Sequence, residues 1–198
     1  MLYSDVRVNE TVGREIGRLY MEASPELTCH ARKAYDAFIR QTTEQFADVE
    51  RCVNVIFQDD DPYGGDAGRM FDDIRQNHTL KIYKTREGED HPYLTHRQND
   101  LFRAVHDFNG HYRAGTGFDR HGEEGAWQCH SRMYSGMARR AMTTETRGQN
   151  SAMIWSLGAE SFPPQKAILL PAWVSEGLTA DTEEWFALGW PSTGELRR

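Results

Sequence analysis

No stretch of this chain stays apolar for long. The longest such run, near residues 167–174, is broken by Pro171 and is far too short to cross a bilayer. Residues 1–10 are polar, so the sequence predicts no signal peptide, no membrane association and a cytoplasmic setting. Cysteine is scarce. Cys29, Cys52 and Cys129 are odd in number, widely separated and form no CxxC pair, which argues against a disulfide framework and for free thiols. Positive charge is in deficit as well. Twenty-three Lys and Arg against 30 Asp and Glu give a net charge of −7, and such a chain lacks the basic face of a general nucleic-acid binder. Arg132, Arg139, Arg140 and Arg147 cluster locally, and a solvated helix face accounts for them. Internal repeats, low-complexity tracts and coiled-coil heptads are also lacking.

Five tryptophans and nine phenylalanines in 198 residues suffice for one well-buried core and argue against disorder. The expected organisation is a single domain over 1–198, mainly α, a helical bundle with a small two-stranded β element. Opening helices occupy 1–50, a β ribbon and loop 51–94, a helical region 95–155, and an irregular tail 156–198. Val12, Ile16, Leu19 and Tyr20 make one apolar stripe. Ser24-Pro25-Glu26 reads as the start of a second helix whose apolar face runs from Leu27 through Tyr35 and Phe38 to Val49, with Thr42 filling a gap. Residues 52–58 and 79–85 alternate with period two and are rich in β-branched side chains, as strands do, with a short helix around 67–75 between them. Thr95 can cap a helix over 96–112; further helices are expected at 122–134 and 137–149.

Chemistry concentrates between residues 105 and 149. This segment holds His106-Asp107-Phe108-Asn109-Gly110-His111, Glu123-Glu124, His130 and Glu145, with four of the eight histidines between 106 and 130. Imidazoles and carboxylates on successive helices are what a transition-metal site needs. On α-helical geometry Asp107 and His111 share a face, as do Glu123 and His130. His106 and His111 are about 140° apart around a regular helix and need a distortion to meet, which Asn109-Gly110 can supply. Only one of Glu123 and Glu124 is expected to point inward. Glu145 adds a carboxylate from a third helix, with Gln149 one turn on in a supporting position. Glu22, Glu26 and Glu44 are further carboxylates that spacing does not single out, and Cys129 beside His130 is better explained by packing.

Taken one at a time, each residue has a plainer explanation. Asp107 and Glu145 can pair with Arg103, Arg140 or Arg147, and the histidines can cap or pack. Taken together they suit a metal site, with His106, Asp107, His111, Glu123, Glu124, His130 and Glu145 as candidate ligands. His106 is also a candidate proton relay, and Arg147, with the Gln149 and Asn150 amides, a candidate anion-holding group, against which stands a glycine-assisted helix end at 147–150. The ExxH spacing of ferritin-like di-iron proteins is missing, and the looser spacing of haem-oxygenase-like di-iron proteins fits somewhat better. The His106-Asp107 doublet looks like the metal-binding turn of HD-type phosphohydrolases, although His78 and His96 are poorly placed for the upstream ligand that fold uses.

The string HDFNGHYRAGTGF, GEEGAW, a following His, and TETRGQNS, preceded by DPYGG, MFDDI and TLKIYKT, resembles an uncharacterised helical domain of tailed-phage and prophage proteins over roughly residues 50–155. The resemblance implies a phage origin, hence a host cytoplasm, and brings no established activity. The expectation is therefore a non-haem metalloenzyme, an oxidase or oxygenase with a di-iron centre, manganese or zinc being the alternatives. Its substrate is expected to be a small molecule or nucleotide, and self-association is left open. A metal-dependent phosphohydrolase, or a non-catalytic phage module with a buried polar or structural-metal cluster, are the competing readings.

Overall fold

The computed structural model describes residues 8–159 and 161–176. It is mainly α-helical with one two-stranded sheet. Helix α1 (Glu10–Glu22) is capped by Asn9, whose side chain accepts from the Val12 amide. Helix α2 (Cys29–Cys52) begins later than Ser24-Pro25-Glu26 suggests. Thr28, in extended conformation, is its N-cap, while Ser24 accepts only the Glu26 amide in a local turn. Leu27 therefore lies outside the helix, where it packs against the core.

Strands β1 (Asn54–Gln58) and β2 (Thr79–Tyr83) pair in parallel, from Asn54 opposite Thr79 to Gln58 opposite Tyr83. Helix α3 (Ala67–Asn77) is the crossover that a parallel pair requires. It starts at Asp66, which accepts from the Gly68 and Arg69 amides, and ends at His78 in the left-handed region. Helix α4 (His96–His106) opens on a full capping box between Thr95 and Gln98. It then continues as a π-helical turn, Asp107–Tyr112.

Helix α5 (Arg120–His130) starts two residues before the expected 122, because Asp119 accepts from the His121 and Gly122 amides. It ends earlier too, giving way to a 3₁₀ turn at Ser131–Met133. The last helical stretch departs most from expectation. Helix α6 (Gly136–Thr143) passes into a π turn (Thr144–Gly148), the short α7 (Gln149–Ser151) and another π turn (Ala152–Ser156). Gly148 is not a helix end. It sits mid-run because a Cβ there would stand 2.8 Å from Leu170 Cδ1 and 3.2 Å from Tyr20 Cδ2. Residues 157–159 and 161–171 are irregular, followed by a 3₁₀ turn at Ala172–Ser175. The part of the expected tail beyond 176 lies outside the described residues.

Helix α2 is the axis of the packing. Its middle (Ala34, Tyr35, Phe38) meets Phe102, Trp127, Tyr134 and Met142 from α4 to α6. Its C-terminal part (Phe46, Val49) meets the sheet, α3 and the end of α4. Burying an aromatic or aliphatic side chain of this kind contributes about 1.5–3 kcal/mol. Two inward positions of α2 are polar, Thr42 and Gln45, and both are buried. That interruption in the apolar stripe leads to the site. No helix among the described residues is long and apolar enough to cross a membrane.

Candidate metal centre

The π turn after α4 brings together what a regular helix would separate. Its i→i+5 bonding places residues five apart near the same face, so the His106 and His111 rings stand 4.9 Å apart at 82°. Gly110 is required inside the turn: a Cβ there would be 3.0 Å from His106 Nδ1 and 3.3 Å from Ala126 Cβ. Thr116 stabilises it from outside, donating its hydroxyl to the Gly110 carbonyl (3.1 Å) and its amide to the His111 carbonyl (3.0 Å).

Glu123 on α5 completes a group of three. Its Oε1 lies 3.7 Å from His111 Nε2, and its Oε2 lies 3.9 Å from His106 Nε2. These separations are too long for hydrogen bonds but suit donors arranged around one ion. All three ligand atoms fall within 4.8 Å of one another. His106 Nε2 is buried and has no hydrogen-bond partner among the described residues. A buried polar atom left unsatisfied costs about 1–3 kcal/mol unless something completes it.

Both imidazoles are held in the tautomer that ligation needs. His111 Nδ1–H donates to the carbonyls of Gly117 (3.0 Å) and Thr116 (3.3 Å), so Nε2 carries the lone pair. His106 is set through a relay. The Gln45 amide donates to the Met133 carbonyl, so its Oε1 accepts from His130 Nε2–H (3.0 Å). His130 Nδ1 must then accept, and it takes the His106 Nδ1–H at 3.1 Å, leaving His106 Nε2 as a free lone pair. Gly122 backs the other histidine: a Cβ there would stand 1.9 Å from the Gly117 carbonyl oxygen that accepts from His111.

Electrostatics match this arrangement. Burial pulls the His111 imidazole down to about 4, against the opposing pull of Glu123. Burial, with His106 and His111 adding to it, also takes His130 well below the usual range. Burial works to raise the Glu123 carboxyl, but the His106 and His111 imidazoles and the Asn150 amide outweigh it, and the net direction is down. Asn150 Nδ2 donates to Glu123 Oε2 at 2.7 Å. Asp107 is pushed up to about 7, first by burial and then by Glu123, while His106 and Arg103 oppose. Among the described residues, none donates a hydrogen bond to its carboxylate.

These shifts have opposite consequences for stability. His111 binds a proton less readily folded than unfolded, so metal-free protein loses stability as the pH falls from 6.5 toward 4, about 2 kcal/mol between pH 7 and 5. Asp107 binds a proton more readily folded, so its contribution grows as the pH falls from about 7. Asp107→Asn removes that compensation. Denaturant unfolding of the metal-free proteins is expected to show Asp107→Asn more stable than wild type at pH 8 and more steeply destabilised between pH 7 and 5. Parallel pH profiles would refute the assignment.

The remaining candidates fall elsewhere. His130 supports His106 and is not among the clustered donors. Both members of the glutamate doublet face inward: Glu124 forms a bidentate pair with Arg147 (3.0 and 2.8 Å). That guanidinium also donates to the Val174 carbonyl and lies 4.1 Å over the Trp127 ring, so it is engaged in the packing of α5 against the second π turn. Glu145 is buried in a network of its own. It accepts from the Tyr35 hydroxyl, from His91 Nε2–H (3.2 Å) and from Gln149 Nε2 (2.8 Å). His91 is held for this by the Tyr93 and Leu94 amides, which donate to its Nδ1. Glu145 nonetheless lines the same cavity of about 140 Å³ as His106, Asp107 and Glu123. Cys129 stays half-buried outside the ligand group, and His96 pairs with Asp90 at the surface.

Gln45, His91 and Tyr35 are the contributors that the sequence pattern did not single out, while Asn150 was read as an anion-holding amide and instead orients Glu123. Gln45 had a signal, a polar residue at an inward position of an apolar stripe. His91 lies in a polar loop and gave none. No family model, curated protein or solved structure matches this chain.

Proposed function

We propose that this chain is a non-haem metalloenzyme that holds one divalent transition metal through His106 Nε2, His111 Nε2 and Glu123. The observation that carries the reading is the orphaned, buried Nε2 of His106, aimed with His111 Nε2 at a single carboxylate. Two imidazoles and one carboxylate with open positions form the ligand set of non-haem iron(II) oxygenases, so iron is the first choice, with manganese and zinc as alternatives. One metal is favoured over the di-iron centre because Glu124, Glu145 and His130 are already engaged with Arg147, His91 and Gln45.

When bound, iron there supplies the one-electron chemistry that dioxygen requires. The chain's residues do the rest. His106 and His111 present lone pairs in fixed tautomers, and Asn150 orients Glu123. Asp107, with its carboxyl near 7 and unengaged beside the ligands, is placed to hold or release a proton at neutral pH. Phe102 and Phe162 line the cavity. The resemblance of residues 50–155 to a phage domain supports placing the enzyme in a phage-infected host.

The same Asp107 favours hydrolysis as the second reading, as a base beside a metal-held water. Protein loaded anaerobically with one equivalent of iron(II) is expected to consume dioxygen on mixing with aerated buffer, faster than the free ion. Zinc-loaded protein that cleaves a nitrophenyl phosphate, together with no dioxygen uptake by the iron form, would replace the first reading by the second.

A further inference from the structure

The cavity beside the metal donors has two parts. The inner chamber of about 140 Å³ opens on an outer recess of about 670 Å³, the two sharing Arg103, Asp107, Phe162 and Gln165 as walls. A cavity of roughly 150 Å³ holds one benzene-sized ring, so the inner chamber takes a single six-membered ring. Phe102 and Phe162 supply aromatic walls for it.

Four amides line the chamber, Asn99, Gln149, Asn150 and Gln165, and the network around them fixes which end each leaves for a ligand. Thr85 donates its hydroxyl to Asp100 Oδ1, so its oxygen accepts from Asn99 Nδ2 (3.1 Å) and Asn99 shows its carbonyl. Asn150 gives Nδ2 to Glu123 and also shows its carbonyl. Gln149 Nε2 donates both to Glu145 and to Gln165 Oε1 (2.8 Å each), which leaves the Gln165 NH₂ without a partner among the described residues. His91, with Nδ1 filled by two backbone amides, can only donate to Glu145, so the whole chain of assignments is determined. The lining thus leaves three carbonyls, of Asn99, Gln149 and Asn150, and one NH₂, of Gln165, beside two aromatic side chains. Its complement is a ring with adjacent C=O and N–H groups.

We infer that the substrate is a single-ring heterocycle with a lactam edge, a pyrimidine-type base of which uracil is the simplest, bound with its ring beside the metal donors. This deepens the metalloenzyme reading and rests on it for the chemistry done to the ring. Among the described residues, Glu89 and Asp90 line the outer recess with Arg103 as the single cation. The recess therefore suits a free base or a nucleoside better than a phosphorylated one.

The test is calorimetric titration of zinc-loaded full-length protein, redox-silent and with metal content measured separately. Uracil and 2-pyridone are expected to bind at or below about 1 mM, uridine comparably, uridine monophosphate more weakly, and toluene at least about tenfold more weakly. Gln165→Leu, and Gln165→Glu as a second variant of unchanged size, are expected to weaken uracil at least about tenfold with metal content and melting temperature retained. Silence toward millimolar uracil in protein that holds its metal would overturn the inference. So would toluene matching uracil, or both variants binding uracil as wild type does. Tighter binding of the monophosphate than of uridine would overturn the preference for an unphosphorylated ligand. If the protein takes up no metal, the metalloenzyme reading fails, and uracil titrated into the metal-free form decides the chamber by the same criteria.

Discussion

Glu123→Gln is expected to weaken metal binding at least about 100-fold while leaving the fold intact. Changes to residues that merely orient a ligand already cost 10–100-fold in affinity, and Glu123 is the only charged donor of the three. The amide keeps the size of the side chain, so the α5 backbone and the Asn150 contact region need not move. What is lost is the negative charge that offsets a dication between two neutral imidazoles. The measurement is metal content after gel filtration, with circular dichroism as the control for folding. Full metal retention in Glu123→Gln would remove Glu123 from the site.

Arg147→Met is expected to have the largest effect on stability and almost none on metal content. It breaks a pair whose side chains are 5% and 12% exposed, and leaving one partner of a buried pair alone costs about 3–5 kcal/mol. The Val174 carbonyl loses its donor and Trp127 loses the cation over its ring. For a chain of this length, the melting temperature should fall by about 10 °C. Adding Glu124→Leu should restore much of the loss, because no uncompensated charge then stays buried. If Arg147→Met instead melted like wild type and lost only activity, Arg147 would belong to the reacting site, as the sequence alone allowed.

The helices were largely legible because apolar phase and capping residues determine them locally. Thr95 and Gln98 form the capping box that Thr95 announced, and the alternating segments at 52–58 and 79–85 do pair. What escaped a reading by regular helical phase was the set of π turns. On an α-helix, five residues separate His106 from His111 by about 140°. The extra residue per turn cancels that angle, and it is tolerated because Gly110 makes room for the His106 ring and Thr116 takes the Gly110 carbonyl. Asn109-Gly110 marked the place but not the geometry. Likewise Glu124 and Arg147 are 23 residues apart, and only the packing of α5 against the second π turn shows them to be partners. Glu145 was singled out as a metal ligand, whereas it is engaged with Tyr35, His91 and Gln149, and His91 sits in a loop whose position depends wholly on tertiary contacts.

Cobalt(II) titration of wild type and Glu123→Gln side by side, followed by the visible absorption of the bound ion, tests the central claim most directly. A single site built from His106, His111 and Glu123 predicts saturation at one equivalent per chain in wild type and no break in the variant. Saturation at two equivalents, or identical curves for the two proteins, would contradict it.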